Sequence, residues 1–223
     1  MILTPIALPD LPAALARFDA GLCHAPMAQT VFRRIADTLT AVTDDSLALS
    51  QDPSHHAEAV ALAESFGMGI IDASPTTGFT WDGHALRVRM EPSVIIHDVA
   101  HLQVCAPERR TVPDFGLGAG PETGLRAEAD AAMTVFGVAR EMEEALTSLL
   151  GILWEVELGQ PALCAFLEQN WLEGGASPVN LAHFLKILGH LHDHGLVDGD
   201  GRPTRALRET PDHVFLGPFT RPI

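Results

Sequence analysis

Apolar residues recur along most of the chain at the three- to four-residue spacing that is typical of amphipathic helices. In such a pattern one face of each helix is apolar and packs against a core, while the opposite face remains polar. The pattern predicts helices over residues 12–23, 27–42, 57–66, 125–158 (divided near residue 137), 161–172 and 179–194.

One segment follows a different pattern. The β-forming residues Phe79–Trp81 precede Asp82-Gly83, a strong two-residue turn signal, and apolar and polar residues alternate over Leu86–Arg89. This segment predicts a small β-hairpin. The sequence therefore predicts an α+β fold, a mostly α-helical single domain spanning residues 1–223. The N-terminal helices and the hairpin occupy residues 1–90.

The stretch V-I-I-H-D-V-A-H at residues 94–101 carries the clearest chemical signal. His97 and His101 are four residues apart, so on a helix both imidazoles lie on one face and can bind one metal ion. The alternative is a pair of ordinary core or surface histidines. The apolar run before His97 indicates burial, and buried imidazoles need partners, which favours the metal. Residues 91–223 are thus expected to form a metal-binding helical part.

Asp98 stands where metallopeptidases of the H-E-x-x-H type have the glutamate that activates a zinc-bound water. Its side chain is one methylene shorter than glutamate, which argues against a peptidase. We expect Asp98 to orient a ligand histidine instead.

Acidic and basic residues beyond this motif allow two interpretations each. Glu128 has apolar neighbours along its predicted helix and could meet a metal, or it could simply favour the positive end of the helix dipole. Glu144 lies on a more polar flank and is expected to be solvated. Asp114 could accept a hydrogen bond from a ligand histidine or cap a turn, and Arg109 or Arg110 could hold a substrate carboxylate or pair with the surplus acids.

Charge and cysteine content restrict the classes of function. The chain has 29 acidic and 14 basic residues, a formal net charge of −15, which argues against nucleic acid or an anionic membrane as a partner. Its three scattered cysteines suggest buried thiols in a reducing compartment. No signal peptide and no apolar run of membrane-spanning length is recognised. The expected location is cytoplasmic.

The centre of the chain resembles the bacterial elongation factor P hydroxylases, metal-dependent enzymes that hydroxylate the modified lysine of that factor. The resemblance covers I-I-H-D-V-A-H at residues 95–101, E-R-R-T-V-P-D-F-G at 108–116 and R-A-E-A-D at 126–130. It implies His97 and His101 as ligands, with Glu128 as first choice for the carboxylate and Glu144 as a distant substitute. Two histidines and one carboxylate form the facial arrangement of non-haem iron.

The expected function is a non-haem Fe(II) hydroxylase in which Asp98, Arg110 and Asp114 assist catalysis. Its substrate would be a lysine-like side chain, possibly that of elongation factor P, or a related small molecule. The factor is itself acidic and would be repelled at long range by this chain, which favours the small molecule. The alternatives are a zinc-dependent hydrolase with an H-D-x-x-H motif and a non-catalytic metal-binding protein.

Overall fold

Helices dominate the described part of the chain, and two short strands complete it. The computed structural model describes residues 6–39, 49–173 and 175–215. The helices in these ranges are α1 Leu11–Gly21, α2 Pro26–Ala36, α3 Pro53–Ser65, α4 Pro92–Val104, α5 Arg126–Ala131, α6 Gly137–Glu157, α7 Ala162–Glu168, α8 Pro178–Asp193 and α9 Asp212–Phe215. The strands are β1 Gly69–Ile71 and β2 Ala85–Arg87. The buried apolar residues of these elements form one core.

The prediction of a mostly helical single domain is confirmed, with differences in where some helices end. The helix predicted over residues 27–42 corresponds to α2, which ends at Ala36, and residues 40–42 lie outside the described part. The helix predicted over residues 161–172 is shorter, because α7 ends at Glu168 and Asn170 has a positive φ of 64°. The three cysteines form no disulfide; Cys105 and Cys164 are buried as expected, whereas Cys23 is exposed.

The predicted β-hairpin is replaced by a two-stranded parallel sheet. The Asp82-Gly83 turn does form, but its antiparallel pairing is an isolated bridge between Trp81 and Leu86. Strand β2 pairs in parallel with β1, with Ile70 opposite Leu86. Beyond Arg87 the chain follows β1 instead of the segment before the turn, because the backbone N–H of Val88 donates to Ile71 O at 3.1 Å.

Helix α4 lies at the centre of the fold. Ile95, Ile96, Val99 and Ala100 have no exposed surface, as expected for a helix that is apolar on most sides and enclosed by neighbours. It packs most extensively against α6 and then against α3. None of the helices in the described ranges combines the length and apolar character that a membrane crossing needs.

The C-terminal end of α4 is fixed by the chain segment that follows α8. Gln103, which is fully buried, accepts a hydrogen bond from Trp154 Nε1 at 2.7 Å. Its Nε2 donates to Thr204 O at 2.8 Å and to Ala206 O at 2.9 Å. One amide therefore joins α4, α6 and the 204–206 segment, which satisfies polar groups that burial would otherwise leave unpaired.

The close approach of α6 to α4 depends on Gly151. A Cβ atom at this position would lie 3.4 Å from His97 Cα, so alanine fits but a larger side chain must separate the helices. We expect Gly151→Leu to lower the free energy of unfolding by about 1–3 kcal/mol through overpacking, as measured by urea denaturation. Gly189 in α8 has open space around its Cα, so Gly189→Leu is the matched control and should not destabilise the protein. Equal losses in both variants would contradict this view of the interface.

A second prediction concerns Glu155, a buried residue of α6. Burial, together with the charge of Glu168, raises its pKa from 4.5 to about 8. Between these values the unfolded chain releases a proton that the folded chain keeps, so stability falls as pH rises from about 5 to 8. Relative to Glu155→Gln, the wild type should lose up to about 1.4 kcal/mol per pH unit in urea denaturation. Glu141→Gln, at an exposed position of the same helix, should leave the pH dependence unchanged.

Candidate metal centre

Helix α4 directs two imidazoles toward a single carboxylate on α6. His97 Nε2 lies 3.8 Å and His101 Nε2 lies 3.6 Å from Glu144 Oε2. One ligand atom from each of these residues falls within 4.8 Å of the other two. Donor atoms that are each about 2.0–2.2 Å from one ion lie roughly 3–4 Å from each other, so this spacing suits a shared metal. The three residues are referred to below as the His–His–Glu cluster.

The carboxylate in this cluster is Glu144, whereas the resemblance gave Glu128 as the first choice. Glu128 lies in the first turn of the six-residue helix α5, and its side chain is exposed. Glu144 was expected to be solvated, but it faces α4 and its side chain is 39% exposed. Burial would raise the pKa of Glu144, but the two imidazoles and Arg140 outweigh burial and lower it, so the carboxylate is ionised.

The orientation of His101 is fixed by aromatic and hydroxyl neighbours. Its ring stacks on Phe115 with a centroid separation of 5.4 Å, and Phe115 stacks in turn on Trp81 at 5.6 Å. Thr147 Oγ1 lies 3.3 Å from His101 Nδ1. With the proton on Nδ1, His101 donates to Thr147 and keeps the Nε2 lone pair directed at the cluster. Burial lowers the pKa of His101 to about 3, so the ring is neutral at physiological pH.

The loop that carries Phe115 is strained. Asp114 and Phe115 have φ values of 42° and 54°, in the left-handed region that non-glycine residues rarely adopt. Each such residue costs on the order of 1–3 kcal/mol, and this strain is commonly found beside functional sites. Asp114 does not accept a hydrogen bond from either histidine. Its carboxylate accepts instead from Trp81 N and from the hydroxyls of Thr80 and Thr123, at 2.7–3.2 Å.

Asp98 is buried beside the cluster without a matching donor. Its residue surface is 7% exposed, and its Oδ2 atom is inaccessible and has no hydrogen-bond partner among the described residues. Burial and the carboxylates of Asp114 and Glu144 raise the pKa of Asp98 well above its usual range. The expected role in orienting a ligand histidine is not visible, because the partner of His101 Nδ1 is Thr147.

The two arginines that follow α4 lie outside the cluster. Arg109 is buried and binds both carboxylate oxygens of Glu143, both of Asp212, and Phe115 O. The Arg110 guanidinium donates to Arg208 O and lines neither of the cavities described below. Of the two roles predicted for Arg109, it therefore has the second: it pairs with acidic residues of the chain. The arginine beside the cluster is Arg140, whose Nη2 lies 3.9 Å from Glu144 Oε1.

Two spaces that share lining residues border the His–His–Glu cluster. The first, called the inner cavity, has a volume of about 140 Å³ and is lined by the cluster together with Thr80, Val94, Asp98, Asp114, Phe115, Arg140 and residues 117–122. The second, called the outer groove, has a volume of about 960 Å³. Its polar lining includes six carboxylates: Glu91, Glu122, Glu141, Glu144, Glu168 and Glu173. Among the described residues that line either space, Arg140 is the sole arginine or lysine.

Comparisons with protein-family models, with curated proteins and with solved structures returned no match. The resemblance to the elongation factor P hydroxylases therefore stays a prediction from the motifs.

The sequence did not predict that Thr147 and Arg140 lie beside the cluster or that Glu144 belongs to it. A signal for Glu144 was present: Gly151 lies seven residues later on the same helical face, and a glycine there permits the close approach of a second helix. That spacing does not identify the approaching helix. The assignment required the packing of α6 on α4.

The Arg109–Glu143 ion pair gives a stability prediction. Both side chains are almost fully buried, at 3% and 0% exposure, so Glu143→Ala leaves one face of a buried guanidinium unpaired. We expect a loss of about 3–5 kcal/mol in the free energy of unfolding, measured by urea denaturation. Glu141→Ala changes an exposed glutamate on the same helix and should shift stability by less than about 0.5 kcal/mol. A loss below about 1 kcal/mol for Glu143→Ala would contradict a structural role for the pair.

Proposed function

We propose that the protein is a non-haem Fe(II) hydroxylase whose metal is held by His97, His101 and Glu144. The observation that carries the proposal is the convergence of two imidazole nitrogens and one carboxylate oxygen within 4.8 Å. Two histidines and one carboxylate leave coordination positions open for dioxygen and substrate, which is the arrangement of non-haem iron oxygenases. The motif resemblance to elongation factor P hydroxylases supports hydroxylation as the reaction.

The residues present fit a divalent ion. His101 is held neutral with its Nε2 toward the cluster, and Glu144 contributes one negative charge. Bound iron would supply dioxygen activation. Thr147 and Phe115 would fix the ring of His101, while Arg140 would orient the Glu144 carboxylate. Arg140 is itself held by a hydrogen bond from its Nε to Leu117 O at 2.7 Å.

The proposed substrate is a lysine-like amine, either a small molecule or a protein side chain such as that of elongation factor P. The carboxylates of the outer groove support a cationic substrate, since one arginine stands against six glutamates there. The volume of the groove is sufficient for a ligand of small-molecule size beside the cluster.

Metal content distinguishes this proposal from its alternatives. We expect wild-type protein purified anaerobically to contain about one iron per chain by elemental analysis, and Glu144→Gln to lose stoichiometric binding. His101→Ala should behave like Glu144→Gln because it removes another ligand. Glu128→Gln is the matched control, because it removes a carboxylate that lies outside the cluster, and it should retain the iron.

Each contrary result has a definite meaning. Loss of iron in Glu128→Gln with retention in Glu144→Gln would overturn the assignment of the carboxylate. Zinc at one per chain, with activity that persists without oxygen, would favour the hydrolase. Absence of stoichiometric metal from the wild type would overturn the metal centre and the enzyme function with it.

A further inference from the structure

The inner cavity is lined by a carboxyl group, that of Asp98, for which its surroundings in the described part of the chain provide no hydrogen-bond donor. Asp98 lines this cavity, is more than nine-tenths buried, and has an Oδ2 atom without a hydrogen-bond partner among the described residues. A buried carboxylate oxygen that lacks a donor is costly, so such atoms are normally paired with a hydrogen-bond donor or a cation.

The hydrogen-bond donors of this side of the cavity are bound to another carboxyl group. Asp114 lines the same cavity, and its carboxylate is held in place by Trp81 N and the hydroxyls of Thr80 and Thr123. The hydroxyls of Thr80 and Thr123 are themselves 2.9 Å apart, so this side of the cavity is a connected polar network. Its donors are committed to Asp114 and leave Asp98 without one.

We propose that the inner cavity binds the primary ammonium group of the substrate, with Asp98 as the residue that recognises it. This inference rests on the proposed function, since it places the charged end of the amine that the enzyme would hydroxylate. An ammonium group carries three N–H donors on a compact cation, and these can serve the carboxylates of Asp98 and Asp114, which both line the cavity. The role assigned to Asp98 is therefore specificity rather than support of a ligand histidine.

The geometry favours an ammonium group over a second metal ion. A metal site would require several ligand atoms around one point, but the described residues contain one such group, the His–His–Glu cluster, and Asp98 is not part of it. A cavity of about 140 Å³ has room for an aminomethyl group. The cavity and the outer groove share His97 and Glu144, so an amine whose ammonium group lies at Asp98 can extend past the cluster into the groove.

The test measures amine binding to metal-free protein, so that coordination of the amine to a metal cannot contribute. Isothermal titration with n-pentylamine, and with 1-pentanol as its neutral analogue, is carried out on wild type and variants. We expect the wild type to bind the amine and not the alcohol, and Asp98→Asn to weaken amine binding about tenfold or more. Glu144→Gln should weaken it less, and Glu128→Gln not at all. Thermal unfolding verifies that each variant is folded.

A variant that blocks the space provides an independent measurement. Ala119 lines the inner cavity, and Ala119→Leu adds volume without changing charge, so it should also reduce amine binding. Unchanged affinity in both Asp98→Asn and Ala119→Leu would overturn the inference. A larger loss in Glu144→Gln than in Asp98→Asn would place the amine at the cluster and overturn it as well. Metal content of the same preparations tests the proposed function separately: a protein that binds iron and no amine keeps the function and loses only this inference.

Discussion

The buried guanidinium of Arg109 uses all five of its N–H groups, and the arrangement of the His–His–Glu cluster depends on them. Two are bound by Glu143 on α6, two by Asp212 in α9, and one by the carbonyl of Phe115. Arg109 follows directly after α4, so one side chain joins the end of that helix to three separate parts of the chain. Because removing a partner from such a group leaves buried charge uncompensated, these segments are held together as a unit.

This unit determines what surrounds the two histidines. Glu143 and Glu144 are adjacent in α6. The ion pair that fixes Glu143 therefore also fixes the position of Glu144 relative to α4. The hydrogen bond to Phe115 O holds the strained loop whose aromatic ring stacks on His101. The positive φ values of that loop are costly by themselves, and they persist because the surrounding contacts determine the backbone path. The ion pairs of Arg109 thus help to fix the geometry of the His–His–Glu cluster.

Features that depend on residues close together in the sequence could be predicted, whereas features that depend on distant residues could not. The His97–His101 pair is local, because four residues of helix place both rings on one face, and the helical periodicity identified most elements. The third residue of the cluster is a matter of tertiary packing. Local arguments left two interpretations of Glu128 open, and the resemblance ranked it first. The hairpin prediction was wrong for a related reason: the Asp82-Gly83 turn is a local signal, but the partner of β2 is β1, which lies earlier in the chain, with Gly69 opposite Ala85.

The buried acids of this chain show how one residue type takes different roles according to its surroundings. Glu143 is matched by a guanidinium and stabilises the fold. Asp114 is matched by hydroxyls and a backbone N–H, and it anchors a strained loop. Asp98 lines a cavity and has an oxygen without a donor. Folding alone would favour an apolar side chain at such a position, since an unmatched buried carboxylate costs stability. Its presence beside the His–His–Glu cluster is accounted for if the missing cation arrives with the substrate.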